Sequence, residues 1–214
     1  MKKIKELIDT HCRNNSIDLH NGLNALLDYM LDFFDYSHYY GNIEEHWKKK
    51  QEESNELFLV TLDFMNRATI ALDKGSWIDY FGRLYESQYQ SKGKASNLGQ
   101  FFTPESLCDL MANVTQNKNE ERINDPACGS GRTLLSHFAK SEDKQGYYIG
   151  EDIDITSVKM CALNMMIHGM RGRAIRHDTL CHPNTFDVGY EINEVRYPFP
   201  TPYYSVRRIS NPKK

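Results

Sequence analysis

The tightest constraint on this chain is a short loop, Asp125-Pro126-Ala127-Cys128-Gly129-Ser130-Gly131. It follows a strand candidate at residues 121–124. It precedes Leu134, Leu135 and Phe138, which are spaced for one face of a helix. A G-x-G turn that leaves a strand and opens a helix lets the backbone bend sharply and lets a ligand approach it closely. An acidic residue about 20 positions later, at the end of the next strand, can accept hydrogen bonds from both ribose hydroxyls. Gly131 and Asp152 are 21 positions apart, and residues 145–150 form the strand that Asp152 would end. The pattern points to a nucleoside-containing cofactor.

A dinucleotide fits this loop poorly. The third glycine of G-x-G-x-x-G would fall at Leu134, and the loop opens with Asp125, which repels phosphate. An acid there suits an ammonium group. A ligand with ribose at one end and an amino acid at the other is S-adenosylmethionine. A purely structural strand–helix turn is the alternative reading.

Around this loop the chain divides into two parts. In the first hundred residues Leu19, Leu23, Leu26, Leu27, Met30, Leu31 and Phe34 form one helical stripe, and Leu57, Val60, Phe64, Ala68 and Leu72 form a second. The charge-dense residues 44–53 read as a solvated helix face or a connection, and residues 77–89 as a third helix. The small, polar residues 91–99 read as a linker or a mobile loop. Thr103-Pro104-Glu105 then predicts a helix start with Thr103 as the capping hydroxyl, and Leu107, Leu110, Met111 and Val114 as the buried face. Ile155, Val158, Ala162, Met165 and Gly169 mark a later helix. Residues 173–176 and 186–190 are weaker strand candidates. Alternating strands and helices predict an α/β fold with a parallel sheet. The expected division is a helical N-terminal domain at 1–98, a cofactor-binding domain at 99–190 and a basic tail at 191–214.

Composition narrows the function classes. The 214 residues carry 26 Lys+Arg against 29 Asp+Glu, a net charge of -3, so the chain is no polycation. From Arg171 onward, however, eight basic residues face Asp178, Asp187, Glu191 and Glu194, leaving a basic C-terminal stretch suited to nucleic acid or to solvent. No apolar run approaches the roughly 20 residues of a membrane helix. The first residues lack the apolar stretch and cleavage site of a signal peptide, so secretion is not expected. Five cysteines without a C-x-x-C pair predict reduced thiols, a cytoplasmic location and no structural metal.

Several stretches together resemble the N-6 adenine DNA methyltransferases of type I restriction-modification systems, of the methylation-subunit kind. They are Gly99-Gln100-Phe101-Phe102-Thr103-Pro104, the Asp125–Gly131 loop, and Asp79-Tyr80-Phe81-Gly82-Arg83-Leu84-Tyr85-Glu86. They continue with Gly150-Glu151-Asp152-Ile153-Asp154, Asn164-Met165-Met166-Ile167-His168-Gly169, and His177-Asp178-Thr179-Leu180. The resemblance spans about residues 77–188, in family order. It implies a Rossmann-like, S-adenosylmethionine-dependent methyltransferase sheet. It also implies roles for individual residues. Phe101, Phe102 and Thr103 would pack on the methionine moiety, with core packing as the simpler role for both aromatics. Asp125 would receive the amino group, and Ala127, Gly129 and Gly131 would floor the site. Asp152 would take the ribose hydroxyls, Ile153 would lie against adenine, and Asp178 would accept from the adenine amine.

The same resemblance implies an N-P-P-[FY] motif after a fourth strand, whose Asn accepts the hydrogens of the target amine and whose aromatic stacks on the flipped base. Phe186-Asp187-Val188 matches the start of that strand, but no Pro-Pro pair occurs in the 214 residues, and Asn193 is followed by Glu194. The family sheet has seven strands; residues 206–209 could add one strand here, not three, so the sheet is expected to be incomplete, with an edge covered by a protein partner, a second copy or the C-terminal tail. DNA is the expected partner, directly or through a specificity subunit. Three functions therefore stand side by side: adenine methylation in DNA; a catalytically inactive, methyltransferase-derived binding or regulatory protein; and transfer to another nucleophile, with His177 or His182 as base.

Overall fold

The computed structural model describes residues 2–35, 43–88, 102–116, 122–142, 144–181, 185–194 and 205–210. Five helices come first: α1 (Lys2–Asn15), α2 (Leu19–Phe33), α3 (Ile43–Glu53), α4 (Asn55–Asp73) and α5 (Tyr80–Gln88). The two apolar stripes of the sequence lie on α2 and α4, whose Leu23, Leu26, Leu27, Met30, Val60 and Phe64 are fully buried. Asp18 caps α2 by accepting from the Asn21 amide, and Ser54 caps α4 by accepting from Leu57. The charge-dense residues 44–53 are helical, with Lys50 buried between Asp32 and Glu53.

The second part alternates: α6 (Glu105–Thr115), β1 (Arg122–Asp125), α7 (Arg132–Lys140), β2 (Tyr147–Asp152), α8 (Ile155–Ile167), β3 (Arg171–Arg176), β4 (Val188–Ile192) and β5 (Val206–Ser210). The sheet order is β1-β2-β3-β4-β5. The first three strands are parallel, as the alternation predicts, but β4 and β5 are antiparallel additions. The connection at 177–187 is too short for the dozen or more residues that a parallel crossover takes, so the chain turns back beside β3. Phe186-Asp187-Val188 therefore leads into a strand on the far side of the sheet from β1. The sheet also continues past residue 190, into the stretch expected to be a basic tail. Val206 pairs with Ile192 on the buried face, and Arg207 pairs with Glu191 on the other. Among the described residues β1 is paired on one side only.

One face of this sheet holds the core. Tyr148, Ala174, Tyr190, Ile192 and Val206 point into it and are buried under α8, α7 and α2. Helix α8 is apolar nearly all round, because it lies between the sheet and the N-terminal helices. Asp154 caps it by accepting from the Thr156 and Ser157 amides. The Lys159–Asp28 ion pair at 2.6 Å and the hydrogen bond from the Thr156 hydroxyl to Asn24 fasten it to α2. The Val206 amide donates to the Phe34 carbonyl, so the end of α2 reaches the last strand.

Helix α6 departs from expectation in two ways. Its cap is Pro104, without a side-chain hydrogen bond, and Thr103 contributes its carbonyl to neighbours instead of a capping hydroxyl. Its buried residues are Cys108 and Ala112, while Leu107, Leu110, Met111 and Val114 are exposed. Periodicity locates an apolar stripe but not a cover for it.

His168 follows α8 and accepts from the Ile78 amide through Nε2, while its Nδ1 faces the Asn164 carbonyl at 2.6 Å. This geometry requires the neutral ring, and burial pushes its pKa down to about 4. A depressed folded-state pKa stabilises above the unfolded value of about 6.5 and loses that contribution as pH falls toward the folded value. Urea unfolding of the wild type and His168→Gln should therefore show a gap that narrows by on the order of 3 kcal/mol between pH 7 and pH 4.

Candidate functional site

The glycine loop forms as the sequence predicts. Gly129 and Gly131 both adopt positive φ, +53° and +91°, where an L side chain is strained. Gly131 caps α7 in the left-handed conformation. A Cβ on it would come within 2.9 Å of the Cys161 sulfur on α8. A Cβ on Gly129 would meet the Phe102 ring at 3.3 Å. The Cys128 amide donates to the Glu151 carbonyl, tying the loop to β2.

A cavity of about 200 Å³ opens over this loop. Its walls include Phe102 and Thr103 on one side and Asp125, Ala127 and Gly129 on the other, with Met111, Arg132 and Thr133 completing it. The structure thus brings together five of the predicted site residues. Gly131 lies at the same turn, under α8, and Phe101 lies outside the described residues. Asp125, at the end of β1, accepts from the Ala127 amide at 3.0 Å and from the Thr133 hydroxyl. Thr133 was not anticipated as a site residue; no motif marks it, and only its place one residue into α7 brings it to Asp125.

Asp152 stands at the end of β2, beside the loop. One carboxylate oxygen accepts from the Gly129 amide and the other from the Asp154 amide, each at 2.9 Å. Each oxygen carries two lone pairs, so both retain capacity for a hydroxyl donor. Burial holds this carboxyl above the usual range, with the two amides opposing that shift. Ile153, the next residue, is 64% exposed, an apolar side chain left open at the strand end. Asp178 lies in the loop after β3, where its Oδ1 accepts from the Leu180 and Cys181 amides.

Other polar residues have supporting places. His177 contacts Glu151 through Nδ1 at 2.6 Å, and His182 lies outside the described residues. Asn193 is no amine acceptor: its Nδ2 donates to the Met166 and Met170 carbonyls, and its Oδ1 accepts from the Ser205 amide. A buried network was missed by sequence reasoning. Asp79 is fully buried and accepts from the Gly82 amide, the Ser130 hydroxyl, Arg132 Nε and Asn164 Nδ2 at 2.5–2.8 Å. Asp79, Gly82, Ser130 and Asn164 sit inside the motif stretches and Arg132 directly follows one, but their long separation hides the contacts.

A mixed α/β sheet whose first strand runs through a glycine loop into a helix, with acids at the ends of β1 and β2, defines the class to which the chain is then assigned by similarity. The chain belongs to the N-6 DNA methylase family, which it matches over residues 76–211. It is 35% identical over 102 residues to the methylase subunit of the type I restriction enzyme MpnII of Mycoplasma pneumoniae, covering 44% of this chain and 18% of that protein. It is 33% identical over 142 residues to the MjaIX methylase subunit of Methanocaldococcus jannaschii, covering 61% and 25%. With the EcoEI methylase subunit of Escherichia coli it shares 31% over 134 residues, covering 56% and 27%. The chain therefore spans 18–27% of the length of these relatives.

Replacing Gly131 by Ala places a Cβ in a left-handed residue and against a buried thiol. The expected cost is about 2 kcal/mol, read as a lower urea midpoint with an unchanged slope.

Proposed function

We propose that the chain is the cofactor-binding part of an S-adenosylmethionine-dependent adenine-N6 DNA methyltransferase of the type I methylation-subunit kind. It works in the cytoplasm on DNA, together with a specificity subunit. The observation that carries this reading is the cavity itself, walled by Phe102, Thr103, Asp125, Ala127 and Gly129. The similarity to methylase subunits supports a methyltransferase over an inactive binding protein. The parallel strands β1–β3 support this reading, since a β–α–β unit such as β1–α7–β2 is what holds the nucleoside in a Rossmann-like fold.

The residues suit the cofactor chemically. Asp125 and Asp152 make the site acidic, which favours a cationic nucleoside over a phosphate. Asp125 would receive the amino group, and Phe102 with Thr103 would cover the methionine chain. Asp152 would accept the ribose hydroxyls, Ile153 would lie on the adenine face, and Asp178 would take the adenine amine. When bound, the cofactor supplies an activated methyl group. The residues of this chain bind and orient it and shield it from water. The groups that accept the hydrogens of the target amine and stack on the flipped base are not identified among these residues.

Calorimetric titration with S-adenosylmethionine tests the reading: micromolar binding is expected, and Asp152→Ala should abolish it. Binding should also weaken on acidification, beginning at a higher pH than an ordinary aspartate would give, because burial raises the Asp152 carboxyl. Undiminished affinity in Asp152→Ala would refute the ribose assignment.

A further inference from the structure

Arg132 is the first residue of α7, where its charge opposes the positive end of the helix dipole. It is also buried, with a side chain 6% exposed. A cation in such a place needs partners, and Arg132 has them on every side. Nε donates to Asp79 at 2.5 Å. The two terminal nitrogens hold Glu86 in a fork, Nη2 at 2.6 Å and Nη1 at 3.1 Å. Nη1 also donates to the Thr103 carbonyl at 3.3 Å. The guanidinium lies over the Phe102 ring, 5.1 Å from its centroid.

Two carboxylates would suffice to neutralise a buried arginine. The further bonds are directional, and both reach Phe102 and Thr103, the residues that wall one side of the cavity. Phe102 is held from a second side by the edge of Tyr85, at 5.6 Å, and it overlies Gly129. Four of the five N–H groups of Arg132 point at named acceptors, so the guanidinium is committed to protein and is poorly placed to bind a ligand carboxylate.

We infer that Arg132 is a positioning residue that fixes the Phe102–Thr103 wall over the amino-acid half of the cofactor, with Glu86 as the strut that orients it. The inference rests on the S-adenosylmethionine reading above. It makes the affinity for the amino-acid half depend on residues of α5, outside the cavity. Lysine cannot replace the arginine here, because an ammonium lacks the planar fork that reaches Asp79, Glu86 and Thr103 together.

The test compares two ligands by calorimetry on the 214-residue chain: S-adenosylmethionine, and 5′-methylthioadenosine, which keeps the nucleoside and sulfur but lacks the amino acid. Arg132→Lys and Glu86→Gln should each weaken S-adenosylmethionine about tenfold and leave 5′-methylthioadenosine within about twofold. Glu86 is 32% exposed, so its amide variant should keep the fold, which a thermal melt would verify. Equal weakening of both ligands would mean a merely structural ion pair and overturn the inference, as would unchanged affinity in both variants. If the unmodified chain binds neither ligand, the cofactor reading fails and the inference falls with it. If the unmodified chain binds S-adenosylmethionine and the variants bind it equally well, the inference alone fails.

Discussion

The buried carboxylate of Asp79 joins the glycine loop to helices α5, α7 and α8. It has no exposed surface, and an ionised group so placed costs several kcal/mol unless it is paired and hydrogen-bonded. Burial raises its pKa, while Arg132, Ser130 and the Gly82 amide oppose that rise. Its donors come from the start of α5, the glycine loop, the first residue of α7 and the middle of α8. Three chain segments distant in sequence, around residues 79–82, 130–132 and 164, therefore meet at one carboxylate. The position of α5 follows from this meeting, and the positions of Glu86 and Tyr85 follow from α5.

The same meeting explains why Arg132 remains charged. Burial alone would favour the neutral form, but Glu86 and Asp79 outweigh it. Removing either partner of the Asp79–Arg132 pair would leave the other buried and uncompensated, at a cost of about 3–5 kcal/mol. Arg83 and Glu105, joined by two bonds of 2.7 Å, place a second ion pair nearby, between α5 and the first turn of α6. The Phe102–Thr103 wall is thus attached to the helices on both of its flanks, although it belongs to neither.

What was legible in the sequence was local. The stripes on α2 and α4, the glycine turn and the acid ending β2 are each specified within a few residues, and each formed where expected. Helix α1 was not singled out, because only Ile4, Ile8 and Cys12 of its polar sequence are buried. The direction of β4 was misread because strand direction is set by the length of the preceding connection and by the free edge it meets, not by the strand's own residues. The Asp79–Arg132–Glu86 network escaped for a related reason: its members are 53 and 46 positions apart, beyond the reach of any helical or strand period. Motif resemblance covered Asp79 and Glu86 and stopped one residue short of Arg132, without revealing that the three touch.

Helix α6 carries an unusual economy. Leu107, Leu110, Met111 and Val114 contribute less to holding the fold than a buried stripe would, since each keeps 44–76% of its surface in water. Exchanging Val114, the most exposed of them, for a polar residue would change an unfolding curve far less than exchanging a buried leucine. Their effect falls on solubility: an apolar strip beside β1, which is paired on one side only among the described residues, lowers the concentration at which molecules adhere. Adhesion between molecules would therefore respond to these side chains more strongly than the melting temperature does.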